Sequence, residues 1–145
     1  MLKIWKKKWT LKLKILLKLK EGIPVKTMPQ NIRKTPWKRK EAKISKINPA
    51  PNLRVPHVGW NQVDFTQAHP IFNDIKDGRD FYFVHSYFLR LAEAQGVCAA
   101  TTEFGLEFCS AVTQDNVFAT QFHPEKSAEA GLQLYANFLA WDGNV

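Results

Sequence analysis

At 145 residues, 45% of them apolar and 23% charged, the chain has room for one core of ordinary size and not for two. That balance excludes wholesale disorder, collagen-like repetition and a multi-span membrane protein. The net charge of +8 is uneven: residues 1–54 hold seventeen Lys and Arg against two Glu, net +15, and residues 55–145 hold four against eleven acidic residues, net −7.

In the basic part, a helical wheel over Met1 to Lys20 scatters Leu2, Ile4, Trp5, Trp9, Leu11, Leu13, Leu16, Leu17 and Leu19 nearly all round, so no amphipathic face emerges. Lys12, Lys14, Lys18 and Lys20 interrupt every apolar stretch, which suits neither a secretory signal nor a membrane span. Leu11 to Ile15 alternates with the period of a strand before the pattern breaks. Pro24, Pro29, Pro36, Pro49 and Pro51 then punctuate a Lys/Arg-rich stretch. Residues 1–51 are therefore expected to form a poorly ordered basic segment outside the core. A cationic arm of this kind can neutralise nucleic-acid phosphates, with Trp5, Trp9 and Trp37 free to stack on bases, or lie on an anionic membrane. No nucleic-acid motif narrows the choice, and a segment without a selected function fits the same composition.

From Val55 onward the pattern sharpens. Phe81 to Tyr87 reads as a buried strand after the Asp77-Gly78 turn. Gly96 to Thr101, Phe108 to Val112 and Val117 to Phe122 follow as further strands, with turns at Gly105 and at Asp115-Asn116, the last pair forming a hairpin. After Pro124 the period becomes helical: Ser127 is placed to cap, Glu129 favours the positive end, Gly143 supplies a stop, and Leu132, Tyr135, Ala136 and Leu139 fall on one face expected to pack on the sheet.

Chemistry concentrates at Gln121-Phe122-His123-Pro124-Glu125. Proline fixes its own φ and holds the preceding residue extended, so the backbone presenting His123 is stiff, and an extended chain points His123 and Glu125 to one side. A base and the carboxylate that orients its imidazole need that arrangement. A strand-to-helix turn with incidental polar groups would read the same way. Among candidate nucleophiles, Cys98 lies in Gly96-Val97-Cys98-Ala99-Ala100, which mimics a small-x-nucleophile-x-small elbow, but no helical period follows it, and a buried small hydrophobe is the plainer reading. Cys109 and Ser86 have neighbours too bulky for such an elbow. Two cysteines cannot build a disulfide framework, so a reducing cytoplasm is the expected compartment. His57, His69, His85 and His123 show no metal-ligand spacing, so no metal or other cofactor is expected.

Arg54 to Val63, Phe81 to Tyr87, Phe118 to Ser127, and Gly131-Leu132 with Asn137-Phe138-Leu139 together resemble the glutamine amidotransferase subunit of imidazole glycerol phosphate synthase, an enzyme of histidine biosynthesis, over about Asn52 to Trp141. The resemblance implies an α/β fold of the class I glutamine amidotransferase, flavodoxin-like type, of which residues 52–145 would be the C-terminal half, strand-rich with a C-terminal helix. It implies hydrolysis of glutamine by a Cys-His-Glu triad through a thioester, with ammonia passed to a partner cyclase subunit. His123 would be the triad base and Glu125 its orienter. The backbone of His85, Ser86 and Tyr87 would help hold the glutamine, and His57, Gly59, Trp60 and Asn61 would lie at the cyclase interface. The family's nucleophile elbow and glycine-rich oxyanion loop have no counterpart here: residues 1–51 contain no cysteine, and Gly22 is the only glycine before Gly59.

Overall fold

A computed structural model describes residues 14–17, 42–48, 51–91 and 96–144. Among the described residues, eight strands and one helix follow in chain order: β1 Lys14–Leu17, β2 Ala42–Lys46, β3 His57–Phe65, β4 Arg79–His85, β5 Tyr87–Leu91, β6 Cys98–Glu103, β7 Glu107–Gln114, β8 Val117–Thr120 and α1 Ala128–Ala140. Short 3-10 turns at Pro70–Phe72 and Pro124–Lys126 complete the set. Six strands form one sheet in the order β1-β8-β7-β6-β3-β4, each neighbouring pair antiparallel, and β2 pairs with β5 in a second, two-stranded sheet. The expected α/β arrangement, strand-rich and closed by a C-terminal helix, is present.

Alternation makes β4 amphipathic. Phe81, Phe83 and His85 point inward and are buried, while Tyr82 and Val84 between them remain half-buried. Phe81 and Phe83 meet Phe122 at ring-centroid distances of 4.3 and 5.8 Å, and Phe118 is edge-on to Phe72 at 5.4 Å. Each such ring contributes roughly 2–3 kcal/mol through burial, and these rings share one core cluster with Ala130 and Leu134 of α1. The β7–β8 hairpin forms as expected, with Asp115 in the left-handed region at φ 51°.

Four expectations are corrected. The strand read as Phe81 to Tyr87 breaks at Ser86: β4 ends at His85 and β5 departs into the second sheet. The segment expected to stay outside the core contributes to it, because β2 runs beside β5, Ile47 N–H donates to the Ser86 carbonyl at 2.9 Å, and the Ile47 side chain is buried among Phe88 and its neighbours. Lys14–Leu17 likewise adds an edge strand to β8, overlapping only the last two residues of the alternation over Leu11 to Ile15; residues 1–13 and 18–41, with Trp5, Trp9 and Trp37, lie outside the described residues. Finally, α1 turns a different face inward. Ala130, Gly131 and Leu134 are buried with Phe138 and Trp141 against the core, whereas Leu132 and Leu139 are 71% and 73% exposed. Two contacts set this rotation: Gly131 lies against the Pro124 carbonyl, where a Cβ would come within 1.8 Å, and Asn137 Nδ2–H donates to the carbonyls of Ile71 and Asn73 at 2.9 and 2.5 Å.

Candidate functional site

The chain leaves β8 through Gln121, whose N–H donates to the Ser110 carbonyl at 2.8 Å, and Phe122, whose ring anchors in the core. His123 follows at the mouth of the Pro124–Lys126 turn. Its N–H donates to the Tyr82 carbonyl on β4 at 2.8 Å. Ser127 fastens the other side: its Oγ donates to the His123 carbonyl at 2.6 Å and accepts from the Tyr82 N–H at 3.0 Å. Ser127 stands at the N-cap position expected of it, yet makes no side-chain cap bond and acts as a clamp between β4 and the turn.

On this fixed backbone His123 Nδ1 lies 3.0 Å from Glu125 Oε1. Nδ1–H donates to the carboxylate, which leaves Nε2 with its lone pair as the basic nitrogen. His123 is 7% exposed and Glu125 is exposed at the rim, so the imidazole is sheltered and its orienter partly solvated. This is the geometry of an oriented general base.

No free cysteine thiol accompanies it among the described residues. Cys98 and Cys109, expected as reduced thiols in a reducing compartment, are instead joined to each other in a disulfide between β6 and β7, with Cα atoms 5.8 Å apart. Cys109 packs against the Leu89, Val112 and Ala119 cluster, separate from the cluster that holds Phe122. Ser86 is half-buried, and its carbonyl is engaged by Ile47. No group of three or more His, Cys, Asp or Glu side chains is gathered to hold a metal ion among the described residues.

Beside the dyad, His85 closes β4. Its Nδ1–H donates to the Tyr87 carbonyl at 3.0 Å across the Ser86 break. Its Nε2 accepts from His57 Nδ1 at 2.8 Å, and His57 Nε2 lies 3.3 Å from Asn61 Nδ2, which also donates to the Glu103 carbonyl at 2.8 Å. Burial, then the neighbouring His85, lowers the His57 pKa to about 4. His85 is lowered too, by burial first and also by His123, while its bond to the Tyr87 carbonyl opposes the shift. Both rings are therefore neutral at pH 7.

The residues expected at a partner surface divide. Trp60 is 53% exposed and lies edge-on to Tyr82 at 5.9 Å, with Lys126 Nζ 5.8 Å from the same Tyr82 ring. Gly59 and Asn61 are half-buried on either side of it. His57 is only 3% exposed, sandwiched between Phe83 and Phe104, and touches no surface; the strand alternation of β3 points it inward. A cleft of about 640 Å³ opens next to Trp60, bordered by Arg79, Asp80 and Ser127.

Sequence reasoning missed Tyr82 as the anchor of the turn, Ser127 as its clamp and the Asn61–His57–His85 chain. Each depends on contacts between residues at least 28 apart or on a backbone group, and neither leaves a local signature. Gln121, the first residue of the motif read from the sequence, is 2% exposed with neither side-chain polar atom partnered.

The model of the class-I glutamine amidotransferase family matches residues 31–141. The imidazole glycerol phosphate synthase subunit HisH of Chromobacterium violaceum is 55% identical over 93 residues, 64% of this chain and 43% of that protein. The protein of the same name from Acinetobacter baylyi is 53% identical over 92 residues, 63% of this chain and 44% of its own length. The chain thus spans less than half the length of the curated relatives it matches. A crystal structure of a putative GMP synthase subunit from Thermoplasma acidophilum shares the fold at a TM-score of 0.53, with 19% identity over 68% of this chain and 47% of that one.

Proposed function

Because the chain belongs to the class-I glutamine amidotransferase family, we propose that residues 52–145 are the C-terminal half of a glutamine-hydrolysing unit that supplies ammonia to the cyclase subunit of imidazole glycerol phosphate synthase in cytoplasmic histidine biosynthesis. The observation that carries this reading is the 3.0 Å contact between His123 Nδ1 and Glu125 Oε1 on a turn fixed to β4. In the proposed mechanism Glu125 holds the tautomer and His123 Nε2 takes the proton from a thiol as it attacks the glutamine side-chain amide. The resulting imidazolium then protonates the departing ammonia, and a thioester remains for water to cleave. The thiol must come from a segment outside residues 52–145. The backbone at His85, Ser86 and Tyr87 receives the glutamine α-amino and carboxylate groups, and Trp60, flanked by Gly59 and Asn61, anchors the cyclase, since buried aromatics dominate interface energetics.

The test is glutamine hydrolysis by this chain with the cyclase subunit present, before and after adding a separate polypeptide that carries the part of the Chromobacterium violaceum relative this chain does not span. The chain without that polypeptide should show no turnover above background. With it, hydrolysis should appear and should fall by at least about a thousandfold in His123→Ala, the scale expected when one member of a triad is lost. Turnover indifferent to His123 would refute the assignment, and turnover without the added polypeptide that vanishes in Cys98→Ser would return the nucleophile to Cys98.

A further inference from the structure

Four groups line up between the exposed Trp60 and the strand break beside His123. Asn61 Nδ2, His57, His85 and the Tyr87 carbonyl are linked by successive contacts of 3.3, 2.8 and 3.0 Å. Proton placement along the line is fixed by its far end. A carbonyl only accepts, so His85 carries its proton on Nδ1, and as a neutral ring it offers Nε2 as an acceptor. His57 must then donate from Nδ1 and accept at Nε2, which Asn61 Nδ2–H satisfies. Reversing any link would set two acceptors or two donors face to face in a buried site, so the chain has one workable pattern.

The two ends differ in freedom. His57 is held between Phe83 and Phe104, with ring centroids 4.8 and 3.8 Å away and planes within 15° of its own. Asn61 is half-buried and divides its amide between His57 and the Glu103 carbonyl. Between them Gly59 takes φ 130°, a conformation that side chains disfavour, while β3 keeps its pairing with β4 unbroken from His57 to Val63. Trp60 and Asn61 are adjacent on that continuous strand, so a shift of the backbone at Trp60 would carry Asn61 and, through it, the contact with His57.

We propose that Asn61, His57 and His85 form a positioning relay, through which a partner seated on Trp60 sets the Tyr87 carbonyl and the Ser86–Tyr87 backbone. The inference rests on the reading that a cyclase docks at Trp60 and that Ser86–Tyr87 faces glutamine. None of the three side chains acts on the reacting atoms; their role is to make the substrate edge respond to docking.

The test is a nuclear magnetic resonance titration of the full chain with the cyclase subunit, following the Trp60 indole N–H as the docking signal and the Ser86 and Tyr87 amides as the response. In the wild type all three should shift together. His57→Phe keeps the stack between Phe83 and Phe104 but removes the donor to His85. His57→Asn loses the stack but keeps an N–H near the Nδ1 position. With His57→Phe the indole should still shift while the Ser86 and Tyr87 response falls at least fivefold, and His57→Asn should recover most of it. A role in packing alone would rank the two variants the other way and would overturn the relay. So would a Ser86 and Tyr87 response unchanged in His57→Phe. An indole that moves in the wild type without Ser86 and Tyr87 would overturn the relay and leave the docking reading standing, whereas an indole that does not move would remove both. If His57→Phe fails to fold, the imidazole nitrogen signals of the wild type decide: the relay requires His57 and His85 both protonated at Nδ1 with a shift on docking, and protonation of either ring at Nε2 instead would overturn it.

Discussion

His69 shows what burial does to a histidine that never enters the candidate site. Its Nδ1 accepts from the Ile71 N–H at 3.2 Å, its Nε2–H donates to Thr113 Oγ1 at 3.0 Å, and burial lowers its pKa to about 4. With His57 also at about 4, two groups take up protons on unfolding that they refuse when folded. The folded pKa lies below the unfolded value of 6.5, so the unfolded chain binds more protons between the two, and stability must fall as pH drops from 6.5 toward 4. Each histidine should cost about 2 kcal/mol between pH 7 and pH 5. His69→Gln, which keeps a donor for Thr113, should therefore lose about 2 kcal/mol less than the wild type over that interval in urea unfolding. Equal losses would mean that His69 titrates normally in the folded protein. The site residues divide on the same physical ground. His123 and Glu125 are legible in the sequence because proline stiffens the two-residue step between them. His57 and His85 are not, because a bond between positions 28 apart exists only after β3 and β4 have paired.

At the scale of elements, the turn and the helix behind it form one unit. Helical period after Pro124 is enough to expect α1, but it allows two neighbouring faces, one through Leu132, Tyr135 and Leu139 and one through Ala130, Leu134 and Phe138. The choice falls to Gly131, whose missing Cβ lets the helix lie against the Pro124 carbonyl, a contact no periodicity count registers. Gly131→Ala must push helix and turn apart, because the obstructing atoms are backbone. The expected cost is about 1–3 kcal/mol, the usual range for overpacking. The displacement should also reach His123, one residue before Pro124, and weaken its bond to Glu125. Thermal unfolding measures the first effect, and the downfield shift of the His123 Nδ1 proton in the intact chain measures the second. A fully stable Gly131→Ala with that proton unchanged would show that the close approach at Pro124 is absent in solution.

Across the whole molecule, the sequence reads as two unlike parts, net +15 and net −7, while the six-stranded sheet joins pieces of both. Charge and proline content describe what a segment prefers alone and are silent about an open edge elsewhere in the chain, which is why the alternation over Leu11 to Ile15, broken at Leu16 and Leu17, does not mark a strand at Lys14–Leu17. β8 is four residues long, and without β1 its outer edge would carry unpaired backbone groups, a template for intermolecular pairing. In the observed register Lys14 faces Thr120 and Leu17 faces Val117, so β1 covers that edge from end to end. An antiparallel strand directs alternate amides to each neighbour, so within Val117–Thr120 one set of N–H groups is held by β7 and the other by β1. Deleting residues 1–20 should leave the first set protected from hydrogen exchange and speed the second by at least about tenfold, as expected when a sheet edge is opened to solvent. The deleted chain should also aggregate at lower concentration than the full chain. If both sets of amides keep their protection after the deletion, β1 does not pair with β8 in solution, and the basic leader lies outside the folded unit as its composition suggests.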